Sequence, residues 1–363
     1  MKISCITTAF NDGELLFNSI NSVLNQTYAD FQYIIVDDGS AKDTRDIIQA
    51  IDDPRVLVIR QANDGLSGAR NKALEQVTGE YVCFLDADDT RPTWAFQAFA
   101  DVISRDDPDL ILCKGALSEV RGNLLPFYDS ARFEAVRALI GDDPASPDTP
   151  GGVQAIHLAQ LLEPQSANKV VRSSMVKAHH LGFPNTHFFE DIFFHTGVLT
   201  KAQKVSFVHS PCFTYFRRYQ RPQITATSGD LRFDIIPVTK LTLEVFATCP
   251  QFRDPIHRAA VLGACFKLLR WCEQTISHHH RHHFRDATRG LIALMDPLYL
   301  EFPAPLPEEM PEVDAARAYI DVLRFADPQS LSDFTKEDHP YDKTPDSRIH
   351  RLWKALSTGR RAG

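Results

Sequence analysis

"YVCFLDADDT", residues 81–90, decides how this chain is read. An apolar, strand-forming run stops, and Asp86, Asp88 and Asp89 follow almost at once. Like charges so close repel one another, so the chain must compensate them or use them. In an extended segment residues i and i+2 point to the same side, so Asp86 and Asp88 converge. Such a pair suits Mg²⁺ or Mn²⁺, which take a few carboxylates together with phosphate oxygens. Taken alone, a D-x-D is most often a solvated turn or a helix cap, and the surroundings must decide.

Working outward, the first ~110 residues alternate strand and helix signals, the pattern of a parallel sheet covered by helices. "KISCITTAF", "FQYIIVDDGS", "RVLVIR" and "EYVCFLDADD" read as strands, and "DLILC" as a fifth. Leu16, Ile20, Val23 and Leu24 recur at helical spacing after Asn11 and Glu14, which resemble a capping box. "GLSGARNKALEQV" reads as helical after its glycines, as does the stretch from Trp94 to Val102. Polar and acidic residues stand where strands stop: Asn11, then Asp37 and Asp38, then the three aspartates of the opening stretch. In open α/β sheets, ligands bind beyond the carboxyl ends of the strands, so these side chains are expected to line a site.

Further along, "GDDPASPDTPGG" (141–152) is rich in Pro, Gly and Asp and reads as a surface linker or a loop that orders over a ligand. "SANKVVRSSMVKAHHLGF" reads as a helix, a second helix starts at Glu190 and Asp191, and "KVSFVHSPCFTYFRRYQ" reads as a strand pair. From about residue 230 to Ala326 the pattern is helical. The expected organisation is a catalytic domain over 1–225, with halves 1–110 and 111–225, a helical region over 226–330 and a tail over 331–363.

Composition narrows the function classes. The chain of 363 residues carries a net charge of −8, which argues against general nucleic-acid binding. Its seven cysteines are scattered and never form C-x-x-C, which suits reduced core thiols and neither a disulfide framework nor a zinc site. No stretch approaches the length of a membrane span, and "MKISCITTAF" lacks a basic leader, so a cytoplasmic protein is expected, at most peripheral to the inner face of the cell membrane. A glycine-rich basic loop after the first strand, as in nucleotidyltransferases, is missing from "TTAFNDGELL", and so is the G-x-G-x-x-G of a dinucleotide-binding dehydrogenase.

Several motifs stand in a specific order: "TTAFND" (7–12), "VDDGS" (36–40), "NDGLSGARN" (63–71), "LDADD" (85–89) and "FFED" (188–191). Over roughly residues 1–220 the sequence thereby resembles the family 2 glycosyltransferases, nucleotide-sugar-dependent enzymes of the GT-A fold. "NKVVRSSMV" (168–176) and "FTYFRR" (213–218) resemble that family's acceptor-side segments. The resemblance implies an α/β fold, a Rossmann-like mixed sheet flanked by helices with a C-terminal helical appendage. It implies an activated-sugar donor, usually a uridine diphosphate sugar, a glycan or lipid-linked acceptor, and a divalent metal, Mn²⁺ or Mg²⁺.

Carried over position by position, the resemblance puts Thr8, Phe10, Asn11, Asp38, Asn63, Arg70, Asp86 and Ala87 on the nucleotide side. Asp38 would contact the uracil, Arg70 would lie beside the nucleotide, Asp86 would face the ribose, and Asp88 would hold the metal. Asp191 would be the general base, inverting the sugar as the acceptor oxygen attacks. Its place at a helix start favours the ionised form a base needs. Glu190 would orient the acceptor, reach the metal or cap its helix. His209 is either an added metal or diphosphate ligand or a structural histidine.

Other features weigh on partners. "HHHRHH" (278–283) reads as a solvated loop. "RIHRLWKALSTGRRAG" (348–363) reads as a basic amphipathic helix, for an anionic membrane surface or for the protein's own core or a sister subunit, so a homodimer is one candidate assembly. A degenerate transferase module that binds sugars or partners without catalysis is the alternative function. Loss of Asp86, Asp88 or Asp191 would have marked it, and all three are present.

Overall fold

Ile3–Ala9 forms strand β1, buried along its length. Parallel neighbours flank it on both sides: β2 (Phe31–Asp37) and β4 (Tyr81–Phe84). A strand covered on both faces needs a near-continuous apolar run, and "ISCITTA" and "FQYIIVD" supply it. The computed structural model describes residues 1–118, 123–186, 188–217, 228–305 and 310–325. The chain divides into two units, Met1–Arg221 and Pro222–Gly363.

In the first unit β3 (Val56–Arg60) forms one sheet edge, beside β2. The order continues through β1 and β4 to β7 (Lys169–Arg172), β5 (Leu110–Ser118) and β6 (Leu124–Pro126), with β8 (Val205–Phe216) paired to β5. Strand β7 runs antiparallel between β4 and β5 and makes the sheet mixed. Helices α1 (Glu14–Leu24), α2 (Lys42–Gln49), α3 (Gly65–Leu74) and α4 (Ala95–Asp106) follow β1 to β4 in turn. The core beneath joins Ile3, Leu16, Ile35, Phe96 and Phe99 to Val170 and Phe213.

Strand β7 corrects the sequence reading. "SANKVVRSSMVKA" is not one helix: Ser166–Asn168 is a 3₁₀ turn, β7 follows, and only Ser173–Ala178 is helical (α7). Val170 and Val171, β-branched and fully buried, favour the pleated surface between two strands over a helix. Nor is "VSFVHSPCFTYF" a strand pair. It is one strand whose register slips around Lys114 of β5, opposite Pro211.

The capping box at α1 is also absent: Gly13 precedes the helix, and Asn11 Oδ1 instead accepts from the Ala41 amide at 2.7 Å. Between α5 (Ser130–Ile140) and α6 (Pro150–Gln160), Ala145 bridges to Val205, and Thr149 caps α6 through the Gly152 amide. Helix α8 (Glu190–Lys201) starts at the acidic pair, as expected.

The second unit is helical, with α9 (Ile235–Ala247), α10 (Pro255–Thr275), α11 (His278–Leu294) and α12 (Pro311–Phe325). Asp254 caps α10 by accepting from the Ile256 and His257 amides. The histidine run opens α11 and is not a loop. Among the described residues no helix is long and apolar enough to cross a membrane. The basic tail 348–363 and Arg218 lie outside the described residues.

Candidate functional site

Strands β1, β2 and β4 run parallel, so their carboxyl ends share one edge of the sheet. The order β3-β2-β1-β4 reverses direction at β1, which makes the β1–β4 boundary the switch point where such sheets open a crevice. At the end of β1 stand half-buried Thr8, exposed Phe10 and Asn11, whose backbone is left-handed at φ 59°. At the end of β2, Asp38 is buried and its carboxylate is fully engaged. Oδ1 accepts from Gln61 Nε2 at 2.8 Å and the Asp64 amide at 2.9 Å, and Oδ2 from the Gly65 amide at 3.0 Å. Asn63 Nδ2 donates to the Asp38 carbonyl at 3.1 Å. Gly39 makes this closure feasible: its φ is +81°, and a Cβ there would sit 3.0 Å from the Asn63 nitrogen. Asp38 is therefore the anchor of the 61–65 loop at the head of α3.

One turn further along α3, Arg70 is 2% exposed and sits among three carboxylates. Nη1 donates to Glu190 Oε1 at 2.6 Å and Asp191 Oδ1 at 2.9 Å, and Nη2 donates to Asp86 Oδ1 at 2.9 Å. Its guanidinium also lies 5.0 Å from the centre of the Phe183 ring. Arg70, expected beside the nucleotide, has its guanidinium on these carboxylates. It is a buried tie between the D-x-D loop and the start of α8.

One guanidinium cannot neutralise three carboxylates. Burial, then the charge of Asp191, pushes Glu190 up to about 8, so Glu190 keeps the proton. Glu190 itself is buried.

Asp191 is different. Its side chain is 26% exposed, and Ser166 Oγ donates to the same Oδ1 that Arg70 holds. Among the described residues Oδ2 accepts from no donor. Phe189, immediately before α8, has φ 66°, a left-handed conformation rare for a bulky side chain, and this turn aims the acidic pair. The 183–186 segment below is pinned to α3: Asn71 exchanges hydrogen bonds with Phe183 N and O, and Ser67 donates to the Thr186 carbonyl.

In the D-x-D loop, Ala87 is buried, while Asp86 and Asp88 are partly exposed. Ser19 Oγ and the Asp89 amide hold the Asp86 carbonyl at 3.2 and 3.1 Å. Asp89 is buried; burial and then Asp86 raise its pKa well above the usual carboxylate range, and it accepts from the Phe216 amide at 3.3 Å. Of the three opening aspartates, two face outward and one ties β4 to β8.

A divalent cation fits this donor set. Mg²⁺ or Mn²⁺ in a phosphate site takes only one or two protein carboxylates, and the partly exposed Asp88, with Asp86 beside it, offers them. His209 is the remaining candidate ligand. It stands on β8 with its ring 6.2 Å from Phe133 and 6.4 Å from Phe207, and burial, then Arg137, lowers its pKa. Among the described residues no group of three closely spaced His, Cys, Asp or Glu ligands includes His209, Asp86 or Asp88.

Sequence reasoning missed Ser166, Lys169 and Arg91. Lys169 is fully buried and donates to the carbonyls of Pro164 and Gln165 and to Asn168 Oδ1; burial pulls its pKa down to about 7, with Asp191 the strongest opposing charge. Charged and amide side chains inside an otherwise apolar run, "ANKVV", were the available signal.

This sheet, with acidic strand ends at its switch point and an antiparallel strand inserted after β4, places the first unit among the mixed α/β domains whose ligands bind beyond the strand ends. The sequence profile of "Glycosyl transferase family 2" matches residues 4–152. Residues 4–152 are therefore similar to that family, and the fold of the first unit is GT-A. It is 31% identical over 240 residues to "Putative glycosyltransferase EpsH" of Bacillus subtilis, covering 60% of this chain and 64% of that protein. It is 42% identical over 88 residues to the Escherichia coli "UDP-Glc:alpha-D-GlcNAc-diphosphoundecaprenol beta-1,3-glucosyltransferase WfaP", covering 24% of this chain and 35% of that protein. The chain thus spans less than two thirds of the curated relatives it matches. The crystal structure of S. aureus TarS 1-349 in complex with UDP-GlcNAc superposes with a TM-score of 0.56 at 18% identity, covering 89% of this chain and 92% of that one.

Proposed function

We propose that this protein transfers a sugar from a nucleoside diphosphate sugar, a UDP-sugar, to a hydroxyl of a glycan or lipid-linked acceptor, with inversion at the anomeric carbon. The observation that carries the reading is the state of Asp191. One carboxylate oxygen is held by Arg70 and Ser166, and the other has no donor among the described residues, at a helix start on a partly exposed surface. A general base needs that arrangement: fixed orientation, an ionised form favoured by the helix terminus, and one oxygen for the proton.

In the reaction, Asp191 Oδ2 accepts the proton of the acceptor hydroxyl as its oxygen forms a bond to the anomeric carbon from the face opposite the diphosphate. The bond from that carbon to the diphosphate oxygen breaks, and its electron pair leaves with the diphosphate. Asp88, helped by Asp86, would hold Mg²⁺ or Mn²⁺, which when bound offsets the charge gathering on the diphosphate. The loop that Asp38 anchors, with Phe10, Asn11 and Asn63 around it, forms the wall for the nucleoside, so Asp38 acts through the loop's shape as much as through direct contact. Arg70 keeps donor-side Asp86 and acceptor-side Asp191 in fixed relation.

Support for the donor comes from the fold shared with TarS, whose crystals hold UDP-GlcNAc. Support for a lipid-linked acceptor comes from WfaP, whose name specifies a diphosphoundecaprenol acceptor, and from 29% identity over 226 residues to the "Cholesterol galactosyltransferase" of Borreliella burgdorferi. The test is UDP release from UDP-glucose, UDP-galactose and UDP-GlcNAc with Mn²⁺, using water as the surrogate acceptor. The expected result is turnover of at least one donor, lowered about 10²- to 10⁴-fold in Asp191→Asn, the range for losing a general base. Equal rates in the variant would overturn the assignment.

A further inference from the structure

We infer that Ser166 is a positioning residue for Asp191, holding its carboxylate in the one rotamer that presents Oδ2 to the acceptor. This inference rests on the reading of Asp191 as the base. The geometry comes first. The hydroxyl of buried Ser166 donates to Asp191 Oδ1, the oxygen that also accepts from Arg70 Nη1 at 2.9 Å. A carboxylate held at one oxygen by two donors from different directions cannot rotate about its Cβ–Cγ bond without breaking both. Arg70 alone would leave that rotation open, because its Nη1 also serves Glu190 and could follow a turning carboxylate.

The turn carrying Ser166 is built to keep the hydroxyl in place. Lys169 Nζ donates to the carbonyls on the N-terminal side of Ser166, Pro164 at 3.1 Å and Gln165 at 2.6 Å, and to Asn168 Oδ1 at 2.8 Å. Asn168 Nδ2 donates to the Glu163 carbonyl at 2.8 Å, and Arg91 Nη2 donates to the Ala167 carbonyl at 2.8 Å. From Glu163 to Lys169 the backbone is therefore gripped at four carbonyls by buried side chains. A turn needing only to link α6 to β7 would not require an ammonium inside the protein, which is costly to bury. Holding a hydroxyl at fixed distance from a working carboxylate does require such rigidity.

The experiment uses the full chain and three variants, Ser166→Ala, Ser166→Thr and Asp191→Asn. UDP release from the donors above is measured with water as acceptor, and UDP affinity by calorimetry. The expected result is a kcat about 10- to 100-fold lower in Ser166→Ala, the range for one hydrogen bond to a charged group, with donor KM and UDP affinity unchanged. Ser166→Thr, which keeps the hydroxyl, is expected to restore most of the loss. A silent Asp191→Asn beside an unaltered Ser166→Ala would overturn the positioning role alone. UDP affinity falling in step with kcat, or a Thr variant as slow as the Ala variant, would make Ser166 merely structural and overturn it too. An active Asp191→Asn would remove the base, and this inference with it.

Discussion

Among the described residues of the first unit two arginines lie buried, and they are answered in opposite ways. Arg70 meets three carboxylates, from Asp86, Glu190 and Asp191. Among the described residues Arg91 forms no ion pair with a carboxylate: it donates to the carbonyls of Cys212, Phe84 and Ala167 at 3.0, 2.7 and 2.8 Å, over the Phe99 ring. A buried cation must have its charge answered, but carbonyl dipoles and carboxylates answer it differently. Dipoles fix positions, and around Arg91 they join the end of β4, the 3₁₀ turn before β7, and β8. Carboxylates bring titration and excess negative charge, which chemistry can use. The difference separates a structural core from a site although both arginines are equally hidden.

The sharpest way to break this contrast is to remove each arginine. Arg70→Met leaves Asp86, Glu190 and Asp191 facing one another without their guanidinium, and turnover is expected to fall roughly 10²-fold or more as Asp191 loses its orientation. Retained turnover would put the functional weight elsewhere. Arg91→Met strands three buried carbonyls and is expected to lower stability by about 3 kcal/mol, read as a shift in urea midpoint. UDP affinity of the folded fraction should stay as in the wild type. Loss of affinity at unchanged stability would reverse the roles assigned to the two arginines.

A smaller effect reports on the proton at Arg70. Glu190 is raised from the ordinary 4.5 to about 8, so the fold retains a proton that the unfolded chain releases. Its stabilising contribution is complete below about 4.5 and lost as pH rises through about 8. Glu190→Gln cannot titrate, so its stability relative to the wild type is expected to improve with rising pH across that window. A difference constant with pH would show Glu190 ionised throughout. Smallest is Phe189→Gly, which relieves the left-handed backbone before α8 and is expected to raise stability by about 1 kcal/mol at most. A clear destabilisation would mean that the Phe189 side chain packs for more than the strain costs.

The same two arginines show what the sequence could reveal. Strands β1, β2 and β4 were legible because strands buried on both faces demand apolar runs, and their acidic ends because an aspartate cannot follow such a run without reason. Arg70 was legible as a site residue but not as a buried one. Its partners Glu190 and Asp191 lie about 120 positions away, and only the fold brings them to α3. Strand β7 was misread because four residues are too few for a period to show, and its β-branched pair was outvoted by the helix-forming residues that follow. Ser166 carried no signal at all: a serine in a turn is ordinary until the carboxylate it holds is seen.

The central claim is that the carboxyl ends of β1, β2 and β4 form a nucleotide site completed by Asp88. Calorimetric titration of the full chain with UDP, with and without Mn²⁺, alongside Asp88→Ala, tests it most directly. The account predicts UDP binding that strengthens with Mn²⁺ and loses that gain in the variant. UDP binding that ignores both the ion and the substitution, or no binding under either condition, would contradict it.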